Sequence, residues 1–189
     1  MSEGTAPLVV IVGDEEPLVD QFATWLRGTY RVETVTDPRA AAADLPDDIR
    51  VVLLDQKFAS PQGSIALERT ATRVGLVLSY EPDWDVIKTG YDGYVTKPVT
   101  RGDVCNLVDR LVKRSQYEDR LERYFELVSE QATVTAVGAP DDIGGRKEVA
   151  SMEREIADVQ TELQELLDSF DPQDYVAVFR DISSKGDRS

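Results

Sequence analysis

Five short β-rich runs punctuate the first hundred residues: Leu8–Val12, Arg31–Val35, Arg50–Leu54, Gly75–Ser79 and Gly93–Thr96. Four of them are nearly all apolar or lead into glycine, the pattern of strands buried on both faces. Helical segments fit the intervals at Pro17–Arg27, Pro38–Leu45, Ser64–Thr72 and Trp84–Thr89. Pro17 and Pro38 fall near helix starts, where a missing N–H costs nothing. Thr100-Arg-Gly-Asp103 reads as a capping box with Asp in the place of Glu, opening a fifth helix. Five β/α repeats at this spacing predict an α/β fold, a doubly wound five-stranded parallel sheet.

The chain changes character beyond that point. From Val104 to Val134 no Pro or Gly interrupts it, and Leu107, Leu111, Leu121, Phe125 and Val128 keep helical spacing. The fifth helix is therefore expected to run past the sheet into an appendage. Gly138–Gly145 reads as a loop by its Gly and Pro content. A second long helix is expected over Lys147–Phe170. Its Met152, Ile156, Val159, Leu163, Leu166 and Phe170 form a three-heptad seam, and Asp171-Pro172 stops it. Tyr175–Ile182 suits a helical turn or a short strand. So short a seam is marginal alone. It must close on the preceding helix, giving an antiparallel hairpin, or on a second copy, giving a dimeric coiled coil.

Composition narrows the function. The formal charge is −15, from 36 acidic and 21 basic residues, and both halves of the chain are acidic. High Asp/Glu with scarce Lys suits a protein kept dispersed at very high salt, where self-repulsion is screened. No basic stripe is visible, which disfavours direct nucleic-acid binding. No helix-turn-helix is visible either. With no His and Cys105 as the only cysteine, His catalysis, His metal ligation, an intrachain disulfide and a Cys metal cluster are excluded. Apolar runs of about five residues fall far short of a membrane span. The N-terminus lacks a signal pattern, so a cytoplasmic location is expected.

The chemistry gathers at two strand ends. Asp55 closes the run Val51-Val-Leu-Leu54, and Lys97-Pro98 closes the run that ends at Thr96. A carboxylate directly after four apolar residues costs desolvation unless a partner or a function offsets it. Parallel sheets bring successive strand ends to one crevice. There a lysine could offset the charge repulsion of phosphoryl transfer to aspartate. An Asp-x-Asp phosphatase fits poorly, because Asp55-Gln-Lys57 lacks the second acid. Neither a G-x-G-x-x-G nor a P-loop is present.

Val9-Val-Ile-Val-Gly-Asp-Glu-Glu-Pro17, Val51–Asp55 with Gly63 eight positions on, and Gly93-Tyr-Val-Thr-Lys-Pro98 together resemble a response-regulator receiver domain over about residues 6–115. Residues 116–182 resemble, more weakly, the HalX-type helical domain of haloarchaeal response regulators. The resemblance implies a two-component signalling protein whose only chemistry is phosphoryl transfer to Asp55, and hydrolysis from it. The donor would be a sensor histidine kinase. Lys97 would contact the phosphoryl oxygens, its bond to Pro98 being cis. The switch hydroxyl would be Ser79, unless spacing back from Lys97 places Leu78 there. Tyr94 would be the aromatic that swings between positions. The resemblance also implies Mg²⁺, held by Asp14, Asp55 and the backbone carbonyl of Lys57. Strand alignment puts Gly13 at the first acidic place and Asp14 at the second, and a shift of one makes the pair Asp14 and Glu15. Pro61 departs from the usual loop, which has proline at the position of Ala59. The appendage would serve as output, with a homodimer through it as a further expectation. The alternative is a degenerate receiver acting as a scaffold independent of phosphorylation.

Overall fold

A computed structural model of the chain describes residues 6–36, 46, 48–59, 72–81, 91–137, 143–172, 174, 175 and 178. The chain divides into two compact units, residues 1–115 and 116–189.

In the first unit, strands β1 (Leu8–Val12), β2 (Arg31–Val35), β3 (Ile49–Asp55), β4 (Arg73–Leu78) and β5 (Gly93–Thr96) form one sheet. Their order is β2-β1-β3-β4-β5 and every neighbouring pair is parallel. β1 and β3 occupy the interior, and all five residues of β1 are buried. β2 and β5 are the edges, and the polar content of Arg31-Val-Glu-Thr-Val35 matches its half-exposed place. The predicted strands thus recur with ends shifted by at most two residues. Helix α1 spans Glu16–Leu26 with Pro17 in its first turn. The predicted helices over 38–45 and 84–89, and nearly all of that over 64–72, lie outside the described residues.

Strand residues alternate between two cores, as the two-residue period of a strand requires. Val9, Ile11, Val51, Leu53 and Val77 pack with Val19, Phe22, Ala23 and Leu26 of α1. Helix α2 (Arg101–Val137) adds Val104, Leu107, Val108, Leu111 and Val112 to the same core. Leu8, Val10, Val12, Val52, Leu54, Leu76, Leu78 and Tyr91 form the second core, on the opposite sheet face. The close approach of α2 depends on glycine. A Cβ on Gly75 would lie 3.0–3.1 Å from Leu111, Leu107 and Leu53, and one on Gly93 would lie 2.9 Å from Leu107. The expected cap of α2 is present: Asp103 Oδ2 accepts from the Thr100 N–H at 2.8 Å, and the Asp103 N–H donates to Thr100 Oγ1 at 3.3 Å.

A largely buried ion cluster lies at the N-terminal end of β4 and β5. Asp92 Oδ1 accepts from Arg73 at 2.8 Å and from Arg114 at 3.2 Å, while Oδ2 accepts from the Val74 N–H at 2.8 Å. Arg114 also donates to the Asp92 carbonyl at 2.8 Å, and its side chain is 2% exposed. Arg114 follows Leu111 by three positions and Leu107 by seven, so helical spacing carries it onto the face of α2 that packs on the sheet.

The second unit holds the rest of α2 and helix α3 (Ile143–Asp168). Ile143, Gly144 and Gly145 are helical, which corrects the expected loop over 138–145 at its C-terminal end. Propensity is weakest as a guide at a helix start, where the first N–H groups have no intrahelical partner to lose. Tyr117 meets Phe170 edge-on with ring centroids 5.6 Å apart, Gln160 donates to Tyr124 at 3.2 Å, and Arg120 and Arg123 pair with Glu162 and Glu155. Partners on α3 recede in number as those on α2 advance, so the two helices run antiparallel. Within the chain the seam is partly covered: Val159 and Phe170 are buried, Leu127 of α2 is 1% exposed, and Met152, Ile156, Leu163 and Leu166 stay partly exposed. After α3 the chain turns at Asp171, whose Oδ1 accepts from the Asp174 N–H at 2.9 Å. The described residues beyond Asp171 are helical, which decides the choice left open for Tyr175.

Candidate functional site

The C-terminal ends of β1, β3 and β5 meet in one crevice, because a parallel sheet aligns like ends. β1 and β3 register Val12 against Leu54, so Gly13 falls beside Asp55. β3 extends one residue beyond the predicted run and ends on Asp55 itself, whose side chain is 7% exposed. The space beside it is lined mainly by apolar groups, among them Leu18, Val19, Phe22 and Val77, together with Gly13 and Glu15. A carboxylate so placed needs partners, and it has them. Its Oδ2 accepts from Lys97 Nζ at 2.9 Å. Its Oδ1 accepts from the Lys57 N–H at 3.1 Å, an arrangement imposed by the 3₁₀ turn Gln56–Phe58.

Lys97 reaches the site across 42 residues of sequence, and its bond to Pro98 is cis. Its ammonium also lies 3.1 Å from Glu15 Oε1. Burial pulls its pKa down, but the hydrogen bonds to Asp55 and Glu15 outweigh that and hold it above the ordinary lysine value. Lys57 turns its own ammonium to Asp14, 2.9 and 3.2 Å from the two carboxylate oxygens. That bond holds the Asp14 carboxyl below its usual range and raises Lys57. Three carboxylates thus face two ammonium groups.

Of the other predicted residues, Ser79 lies just past β4, exposed, with its N–H donating to Gln56 Oε1 at 2.8 Å. Leu78 turns into the core on the face opposite Val77 and is 1% exposed. Tyr94 lies on the edge strand β5, exposed. Pro61 and Gly63 lie outside the described residues. The Lys57 ammonium is the group the sequence reading passed over, having assigned Lys57 only a backbone carbonyl.

The Mg²⁺ implied by the resemblance can be tested against this arrangement. Asp14 gives both oxygens to Lys57, and Glu15 and Asp55 share Lys97. Among the described residues no three acidic, His or Cys side chains converge on a point that an ion could occupy. Gly13 supplies no carboxylate, and a Cβ there would lie 3.1 Å from Val19 Cγ2, so Val19 has packed into the space. Arranged in this way, Asp14 and Asp55 could hold a divalent ion only after Lys57 had left the Asp14 oxygens, with waters completing its coordination.

Comparison with known proteins agrees with this architecture. Residues 113–179 match the HalX domain model. A Haloferax volcanii protein provisionally named a transcriptional regulator is 34% identical over 133 residues. The match covers 67% of this chain but only 23% of that relative's length. Among solved structures, a CheY-like receiver-domain protein from Methanospirillum hungatei superposes with TM-score 0.50 at 17% identity, covering 59% of this chain and 98% of that one. The response regulator DrrB of Thermotoga maritima gives TM-score 0.51 at 24% identity, over 58% and 54% of the two chains. NtrX from Brucella abortus gives 0.56 at 18%, over 79% and 35%. The first unit has the receiver fold, and a HalX domain follows it. Among the described residues no helix is long and apolar enough to cross a membrane.

Proposed function

We propose that this chain, a receiver fold followed by a HalX domain, is a response regulator that accepts a phosphoryl group on Asp55 from a sensor histidine kinase. The observation that supports this most is the Lys97 ammonium, 2.9 Å from the largely buried Asp55 Oδ2. In the reaction a carboxylate oxygen of Asp55 bonds to phosphorus as the phosphorus–nitrogen bond of a phosphohistidine breaks. The histidine nitrogen leaves with the bonding pair. The attack brings negative oxygens against a negative carboxylate, and Lys97 offsets that charge in a partly water-excluded setting. Ser79 is positioned in sequence to offer a hydroxyl to the phosphoryl oxygens.

The product carries close to two negative charges where there was one. Lys97 then exchanges Glu15 and Asp55 for the phosphoryl oxygens, which changes how β5 and its Tyr94 are held. Helix α2 follows β5 and continues unbroken from Arg101 to Val137, so it offers a route to the HalX domain.

Beryllofluoride, which mimics an aspartyl phosphate, tests the reading when titrated calorimetrically in multimolar KCl with MgCl₂. One site per chain is expected in the wild type and none in Asp55→Ala. A folded wild-type protein that binds nothing would overturn it. That result would favour the phosphorylation-independent scaffold, for which Gly13 in an acidic position already speaks.

A further inference from the structure

We propose that Lys57 is the resident cation of this crevice, and that its ammonium competes with any divalent ion for Asp14. The inference deepens the receiver reading, which gives it its meaning, but its test needs no phosphoryl transfer.

The argument starts from the turn after β3. The Lys57 N–H donates to Asp55 Oδ1, which holds the residue beside the carboxylate and leaves its long side chain free to reach along the rim. There it meets Asp14, 43 residues earlier in sequence, and one ammonium contacts both carboxylate oxygens. Mg²⁺ would need an Asp14 oxygen at about 2.0–2.1 Å, and a compact ammonium already on both oxygens excludes it. The two cations therefore alternate.

Two further features make the exchange unequal. Gly13 offers no second rim carboxylate, and Val19 has filled the space where one would begin. Glu15, the nearest substitute, is engaged by Lys97. A divalent ion arriving at this crevice must displace Lys57 and then tolerate its charge nearby. Yet the Lys57–Asp14 pair faces solvent, with side chains 57% and 44% exposed, so it is exchangeable and not a lock.

The test is a calorimetric Mg²⁺ titration of the full chain at fixed KCl, for wild type, Lys57→Met, Lys57→Arg and the double variant Lys57→Met with Asp14→Asn. Lys57→Met should bind Mg²⁺ roughly tenfold more tightly than wild type, the factor expected from removing a competing charge within a few ångströms under partial screening. Lys57→Arg should stay near wild type, and Asp14→Asn should abolish the gain. Equal or weaker binding by folded Lys57→Met would overturn the proposal, as would a gain that survives Asp14→Asn. Should Lys57→Met misfold by circular dichroism, Lys57→Gln carries the same comparison. Failure of the receiver reading would show separately, as absent beryllofluoride binding in every variant whatever their Mg²⁺ affinities.

Discussion

Substitution of Asp92 by Asn should destabilise the receiver-fold unit by about 3 kcal/mol. One carboxylate there serves two guanidinium groups, Arg73 and Arg114, whose side chains are 11% and 2% exposed. Removing one partner of a buried ion pair costs about 3–5 kcal/mol, because the remaining charge stays out of water. Asn keeps the shape and one acceptor oxygen, which argues for the lower end of that range. Its amide cannot serve every donor, however. If the oxygen faces the arginines, the NH₂ confronts the Val74 N–H, and if the amide flips it confronts the guanidinium groups. The assay is urea unfolding at constant KCl followed by Trp25, whose ring centroid lies 5.6 Å from that of Phe22 in the same core. Asp48→Asn serves as control: it removes the same charge from an ion pair with Arg31 whose side chains are 56% and 42% exposed, and it should leave the midpoint unchanged. A loss under about 1 kcal/mol in Asp92→Asn would show that the cluster is solvated, and the reasoning from burial would fail.

Leu127→Ala should cost about 2–5 kcal/mol in the second unit, since Leu127 is 1% exposed inside the hairpin. Helical ellipticity on heating would report it, and an unshifted transition would refute the buried place of Leu127. Tyr30 is pushed up to about 12 by burial and by the Asp109 carboxylate it bonds. Its folded pKa lies above the ordinary value, so the stability it contributes is complete below about pH 10 and is lost as pH rises through 12. Absorbance at 295 nm should show late tyrosine ionisation, since burial raises Tyr117 as well, and Tyr30→Phe should reduce its latest part; an unchanged titration curve would contradict it.

The sequence by itself determined the order of elements and which of their faces are buried. An all-apolar run such as Leu8–Val12, short and rich in β-branched residues, suits an interior strand of a parallel sheet, and the spacing Met152–Phe170 suits a helix with one apolar seam. Both signals are local, because burial is written into every residue of an element. Asp55 and Lys97 were legible as a pair for a related reason: parallel topology brings strand ends together whatever lies between them. Tertiary structure alone decided which charge meets which. Arg114 is an ordinary helix arginine until α2 lies on the sheet, where Asp92 waits at the start of β5. Lys57 looks like a surface lysine until the 3₁₀ turn aims it across 43 residues at Asp14. The heptad seam likewise reads as one apolar helix face, and only the tertiary structure sets Tyr117 against its Phe170. An ion pair or a packed seam depends on a few ångströms of separation, set by the whole fold and encoded in no local pattern.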